Sequence, residues 1–234
     1  MIILGVDTSG REGSLALCNG DASSFAVLEF VPLAGGMYSA QLVPQLAAAL
    51  GRQNLTNSDI DLLAVASGPG SFTGLRVGLS AVKALAEVLK KPVVALTVLE
   101  AIAVSVLRTT AVQGGELPKR VISALDAQRN EVFAGEYEPC GDEVLKIAES
   151  VVSLADFATW LGARIPIPVT YTPDDSVAAK VRESGSPAEH VSRPGADVIA
   201  RLGLQRYMAG KTVSADDLDA EYIRRSDAEI FAKK

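Results

Sequence analysis

Two aspartates stand where they could do phosphate chemistry. Asp7 closes the hydrophobic run IILGVD (Ile2 to Asp7) ahead of the turn TSGREG, and Asp126 closes VISALD (Val121 to Asp126) ahead of AQRN. A carboxylate at a strand end, beside a turn that offers backbone N–H groups to phosphates, can help hold magnesium, which prefers carboxylates and waters. Thr8 and Ser9 on the first turn and Arg129 on the second would then belong to a nucleotide cleft. The plainer role is local, each aspartate capping its own turn by accepting from nearby N–H groups. The sequence favours the plainer role. A working kinase built on such a pair would carry a further glycine-rich segment for adenosine late in the chain. Here the counterpart, SRPGADVIA (Ser192 to Ala200), has one glycine and reads as a simple helix start. The pair is read as a degenerate, non-hydrolytic cleft.

Other chemistries can be judged from residue types. The chain has a single histidine, His190, in a polar stretch, so no zinc or iron site built on paired histidines can form. Serine–histidine or cysteine–histidine hydrolysis would need that same histidine, and no Gly-x-Ser-x-Gly elbow accompanies it. Cys18 and Cys140 are far apart and lack CxxC spacing, which fits ordinary thiols in a reducing compartment. Arg129 and Glu131 pair with each other or bridge two lobes. Lys83 reads as a surface residue and Trp160 as helix packing. Arg76, flanked by Leu75 and Val77, is equally an interface anchor or a solvated helix arginine.

The segment GPGSFTGLRVGLSAVK (Gly68 to Lys83) poses a different question. Glycines at 70, 74 and 78 recur every four residues and so share one side of a helix. A glycine inside a helix costs about 1 kcal/mol relative to alanine, so the spacing asks for a close approach by another backbone. A phosphate at the helix N-terminus is the competing idea, but the loop lacks the lysine of a P-loop.

The elements that must position these residues follow from periodicity. Three strands, IILGVD, SLALC and SFAVLEF, occupy the first thirty residues. Leu42, Val43, Leu46, Ala49 and Leu50 show helical spacing over Ser39 to Leu50, with Pro44 making the helix start near Gln41 or bend. A strand at Leu62 to Ser67, a helix at Phe72 to Leu89, a strand at Pro92 to Leu96 and a helix from about Leu99 complete the series. The order β-β-β-α-β-α-β-α gives a mixed sheet, an antiparallel meander beside parallel strands with helices over the faces. The plan restarts at VISALD, continues through EVFAGEY and a strand near Val144 to Val152, and adds helices at Leu154 to Leu161 and Ala196 to Met208. A short strand is expected within the Pro-rich segment 165–173. Two lobes, 1–112 and 113–234, built on one plan and each opening on a strand–turn–strand with an aspartate, suggest an α/β fold of the actin-like ATPase (RNase H-like) class.

Composition agrees. The 234 residues are 48% hydrophobic and 21% charged, enough for a sizeable core, and the net charge is −6. The acidic balance argues against independent binding to a nucleic-acid backbone. The longest mostly apolar stretch, Ala95 to Leu107, is too short to span a bilayer. The N-terminus carries no signal-like basic region, so a cytoplasmic location is expected.

Four blocks, ILGVDTS, GPGSFTGLRVGLSAVKALA, DAQRNEVF and the closing GKT with AEYIRRSDAE, are similar in order to the TsaB (YeaZ) family and span nearly the whole chain. That resemblance implies a non-catalytic accessory protein of tRNA threonylcarbamoyladenosine biosynthesis, a paralogue of the catalytic subunit TsaD. It implies binding to TsaD in a heterodimer and activating it together with the ATPase TsaE, with tRNA met only through the complex, and it leaves monomer and homodimer both open for the isolated chain. No cofactor is expected to be required by the chain itself, and the complex interface is a place where ATP or ADP could lodge. Pairing is expected through the first two helices, on Tyr38, Gln41, Leu42, Gln45, Phe72, Gly74, Leu75, Arg76, Gly78 and Leu79. Glycines 74 and 78 would let helices approach; packing of that face on the lobe's own sheet is the other reading, and both could hold because opposite faces are available. The chain departs from the family at Tyr38, where many relatives have histidine, at Ala40, and at Ala220 in place of a proline.

Overall fold

The computed structural model describes residues 1–141, 143–220 and 223. Two units build up from two sheets with one strand order. In the first, β1 (Ile2–Asp7), β2 (Gly13–Gly20), β3 (Phe25–Leu33), β4 (Ile60–Gly68) and β5 (Val93–Thr97) lie in the order β3-β2-β1-β4-β5. β1 to β3 form an antiparallel meander, while β4 and β5 run parallel to β1. In the second, β6 (Val121–Gln128), β7 (Glu131–Cys140), β8 (Glu143–Ser153), β9 (Thr170–Thr172) and β10 (Ala188–His190) repeat the pattern as β8-β7-β6-β9-β10. The antiparallel and parallel pairs fall in the same places. Asp7 ends β1 and Asp126 lies near the end of β6, the equivalent central strand. This duplicated arrangement is the actin-like plan that the repeated strand–turn–strand foretold.

The helices are α1 (Tyr38–Arg52), α2 (Phe72–Leu89), α3 (Val98–Val112), α4 (Leu154–Gly162), α5 (Asp175–Glu183) and α6 (Ala196–Met208). α1 buries Tyr38, Leu42, Leu46, Ala49 and Leu50, a 3.6-residue stripe. α2 buries Leu75, Leu79, Val82 and Ala86 together with Gly74 and Gly78. Both stripes join one core with Leu4, Val6, Leu15 and Leu63 of the sheet. Pro44 does not delay α1. It sits on the exposed side, and the helix runs through it from Tyr38. In the second unit Phe157 and Leu161 of α4 and Val177 and Val181 of α5 close over Ile122, Ala124, Val132 and Ala134.

The division of the chain differs from the expected single break after residue 112. Among the described residues the first unit comprises 1–98 and 194–220, the second 99–193 and 223. Sequence order alone assigns α6 to the second lobe, which it follows. Its buried Ala196, Ile199, Ala200, Leu202 and Leu204 instead cover β1, β2 and β4. The Ala196 N–H donates to Ser14 Oγ on β2 at 2.9 Å. α5 and β10 were not foreseen. Neither has a long apolar run, and α5 opens on two aspartates. Of the closing motif, Glu221, Tyr222 and 224–234 lie outside the described residues.

Candidate docking face and the two aspartate turns

α1 and α2 lie side by side on one face of the first sheet, and their buried stripes leave outward faces. On α1 those positions are Ala40, Val43, Pro44, Ala47 and Ala48; on α2 they are Phe72, Thr73, Arg76, Ser80, Ala84 and Val88. Val43 is 63%, Phe72 44% and Val88 79% exposed. A solvent-facing helix surface ordinarily carries charges of both signs. α1 has no charged residue before Arg52, and the acids of both helices amount to Glu87 alone. Exposed apolar side chains on a charge-poor face make it a candidate interaction surface. The sequence signal was present in the helical spacing of uncharged residues, but the outward side could not be told from the inward one.

That ambiguity decides how the expected docking residues fall. Gly74, Leu75, Gly78 and Leu79 are buried within their own unit, as is Leu42. A Cβ on Gly74 would come within 2.1 Å of the Thr8 carbonyl oxygen, one on Gly78 within 2.3 Å of Thr8 Oγ1, and one on Gly70 within 2.2 Å of the Ser9 carbonyl oxygen. The three glycines therefore admit the turn after β1, and the assignment of Gly74 and Gly78 to a partner helix is corrected. The close approach that the sequence demanded is internal. Phe72 and Arg76 do face outward, with the Arg76 guanidinium 3.8 Å over the Phe72 ring. Gln41 is half-buried, its Oε1 accepting from the Ala34 N–H at 2.9 Å. Gln45 is half-buried too. Tyr38 lies inward, its hydroxyl donating to the Gly10 carbonyl at 2.9 Å.

The turn after β1 is gripped from this side. The Thr8 hydroxyl donates to the Gly74 carbonyl at 2.7 Å and the Ser71 N–H to the Ser9 carbonyl at 2.7 Å. Asp7, 2% exposed, accepts at Oδ1 from the Ser9 N–H at 2.8 Å and from the Ser9 hydroxyl at 2.5 Å. The plainer role of Asp7 is thus realised.

The turn between β6 and β7 is built from strain and side-chain bonds. Gln128, Arg129 and Asn130 have φ of 63°, 54° and 60°, a left-handed run without glycine. Arg129 and Asn130 form the two-residue hairpin loop, where φ above zero at both positions matches strand twist. Gln128 follows a bulge, which lets it fold back on Asp126. Its N–H reaches Oδ1 at 2.8 Å and its Nε2 reaches Oδ2 at 2.9 Å. Asp174, at the start of α5, accepts from the Asp126 N–H at 2.8 Å. An open pocket of about 200 Å³ lies here, lined by Asp126, Gln128, Arg129, Asn130, Leu154 and Lys180 among others. Asp126 and Arg129 thus share one site on the second unit, while Asp7, Thr8 and Ser9 belong to a separate turn on the first. His190 lies on β10, with Nε2 3.2 Å from the Pro173 carbonyl oxygen. Among the described residues no three His, Cys, Asp or Glu side chains gather as a metal site. None of the helices there is long and apolar enough to cross a membrane.

Comparison with known proteins gives the kinship. The TsaD family, tRNA N6-adenosine threonylcarbamoyltransferase, matches residues 32–194. The tRNA threonylcarbamoyladenosine biosynthesis protein TsaB of Bacillus subtilis is 27% identical over 98% of this chain and 96% of its own. TsaB of Escherichia coli is 25% identical over 97% and 96%. A Pseudomonas aeruginosa crystal structure, described as an uncharacterized protein with similarity to peptidase YEAZ, superposes with a TM-score of 0.77 at 25% identity. It covers 95% of this chain and 99% of that one. With the fold and the near full-length similarity in agreement, the chain belongs to the TsaD family and, within it, to its TsaB (YeaZ) branch.

Proposed function

We propose that this protein serves tRNA threonylcarbamoyladenosine biosynthesis as a non-catalytic accessory subunit. It docks through the outward face of α1 and α2 onto the TsaD-type catalytic subunit and holds it in its active arrangement. The observation that carries the reading is that charge-poor face, with Val43, Phe72 and Val88 exposed on it. Catalysis by the chain itself is disfavoured because both aspartates are engaged by their own turns. Asp7 is held by Ser9, and both oxygens of Asp126 accept from Gln128. TsaE is proposed as a further member of the complex, and tRNA is met only there. The chain requires no cofactor, and ATP or ADP has a place only at the complex interface. The cytoplasm is the proposed location.

The rival reading, an ATP-dependent enzyme, draws on the pocket beside Asp126, Arg129 and Lys180. Asp126→Asn separates the two. It leaves tRNA modification unchanged if the subunit is accessory and abolishes it if the pocket turns over nucleotide. The direct test is co-purification and calorimetry with the TsaD of the same organism. We expect tight wild-type binding and at least a hundredfold loss in Val43→Glu, Ala47→Glu, with the circular dichroism unchanged. A well-folded wild type that does not bind TsaD would sink the proposal.

A further inference from the structure

The two helices of the docking face begin at the same end of the unit. Tyr38, the first residue of α1, lies against α2 at Gly74, where a Cβ would be 3.2 Å from Tyr38 Cε2. Each helix N-terminus carries positive partial charge. Acidic first-turn residues ordinarily offset it, and neither helix has one. The segments leading into them, 34–37 and 68–71, contain no acid either. Along both helices three basic residues (Arg52, Arg76, Lys83) face one acid (Glu87), a local balance of +2 in a chain of net charge −6.

Arg11 sits at this end as well. Its backbone packs on the segment before α1 so closely that a Cβ on Gly35 would come within 1.8 Å of the Arg11 carbonyl oxygen. The preceding Gly10 carbonyl is held by the Tyr38 hydroxyl. The backbone carrying Arg11 is therefore fixed to the docking helices, while its side chain is exposed. Among the described residues Arg11 has no ion pair. Close by, Met37 is 52% and Phe72 44% exposed, and Arg76 is spread on the Phe72 ring. Arginines beside large apolar side chains are the combination enriched at interface anchors. Glu12 is the one exposed acid on the turn.

We propose that this end of the face, Arg11 and Arg76 flanked by Met37 and Phe72, is a cationic dock for an acidic patch on the catalytic subunit. The assignment rests on the docking reading above and adds what the partner must present. Carboxylates are drawn there by two guanidinium groups and two helix N-termini, and the chain's overall acidity makes this end the place where an acidic partner is not repelled.

The test is stopped-flow association with the TsaD of the same organism, from about 50 to 300 mM salt, a range over which exposed charges become screened. Wild type is compared with Arg11→Gln, Arg11→Glu and Arg11→Glu, Arg76→Gln. The Arg11 side chain is exposed and has no ion pair among the described residues, and circular dichroism checks that each variant, the one at Arg76 included, is folded before rates are compared. At low salt we expect Arg11→Glu to slow association about tenfold, with Arg11→Gln intermediate. The double variant should lose most of the salt dependence. Glu12→Gln should associate faster than wild type. Tight wild-type binding with association rates indifferent to all four substitutions would overturn the cationic dock and leave the docking face standing. Absence of wild-type binding would overturn both.

Discussion

Gly74 and Gly78 look like helix–helix contacts and act as clearances. Their missing side chains make room for Thr8, whose hydroxyl and carbonyl oxygens lie where each Cβ would be. Gly74→Ala and Gly78→Ala should each destabilise the fold by about 1 to 3 kcal/mol, the usual effect of overpacking, measured by urea denaturation. A loss of partner binding in such variants would follow from a damaged unit and say nothing of the interface. The thiols make a second residue-level case. Burial, with Asp197 adding to it, pushes Cys18 up from 9.0 to about 12, while Cys140 is exposed. A thiol reagent at neutral pH should therefore titrate one cysteine in the native protein and two in denaturant. Because the folded pKa of Cys18 is raised, its contribution to stability is complete below pH 9.0 and is lost as pH rises towards about 12. Cys18→Ala should flatten that alkaline decline.

At the scale of elements, caps and ion pairs fix where helices start and end. Ser71 Oγ accepts from the Gly74 N–H at 3.2 Å and opens α2, so Ser71→Ala should lower stability by about 1 kcal/mol. The last turn of α1 is tied to β3 by Arg52, whose Nε lies 2.6 Å from Glu29 Oε1. That bond from Arg52, joined by one from Gln53, holds the Glu29 carboxyl below its usual range. A depressed carboxylate stabilises above its unfolded pKa, and the gain disappears as pH falls through the folded value. Arg52→Gln should thus narrow the stability gap between neutral and acidic pH, followed by thermal unfolding across that range. In the second unit Glu136 on β7 is nearly buried and paired with Arg164 at 2.6 Å and Arg120 at 2.8 Å. Arg164 leaves α4 and stacks on Trp160, 3.5 Å from the ring centroid. Arg164→Ala would leave the Glu136 carboxylate to Arg120 and remove the stacking on Trp160, and should cost about 1 to 3 kcal/mol.

At the scale of the molecule, one fold plan is used twice with different outcomes. In the first unit the aspartate turn is closed down by α2, and that helix turns a charge-poor face outward. In the second the equivalent turn opens on a pocket of about 200 Å³. The proposed division of labour follows, with the first unit presenting the docking face and its cationic end. Net charge of −6 fits a subunit that leaves phosphate contacts to others. We expect no measurable affinity of the isolated chain for tRNA at physiological salt, checked by gel shift. Strong binding would require a basic surface that its composition does not supply.

Much of this was legible in the linear chain. Alternating and helical apolar spacing placed the strands of both meanders and α1, α2, α4 and α6, because those periods are set by backbone geometry. The similarity of IILGVD and VISALD exposed the duplication, and both aspartates were found at strand ends. Lone His190 ruled out paired-histidine metal chemistry without any coordinates. Only the tertiary structure decided direction and ownership. It turned Gly74 and Gly78 inward onto Thr8 and left Val43, Phe72 and Arg76 outside. It returned α6 to the first sheet across a whole intervening unit. It also set Arg11 beside the start of α1, a neighbour 27 residues away in the chain. The physical reason is common to all four. Periodicity states that a helix has an apolar side, but which surface covers that side depends on contacts between distant segments, and local sequence does not encode those distances.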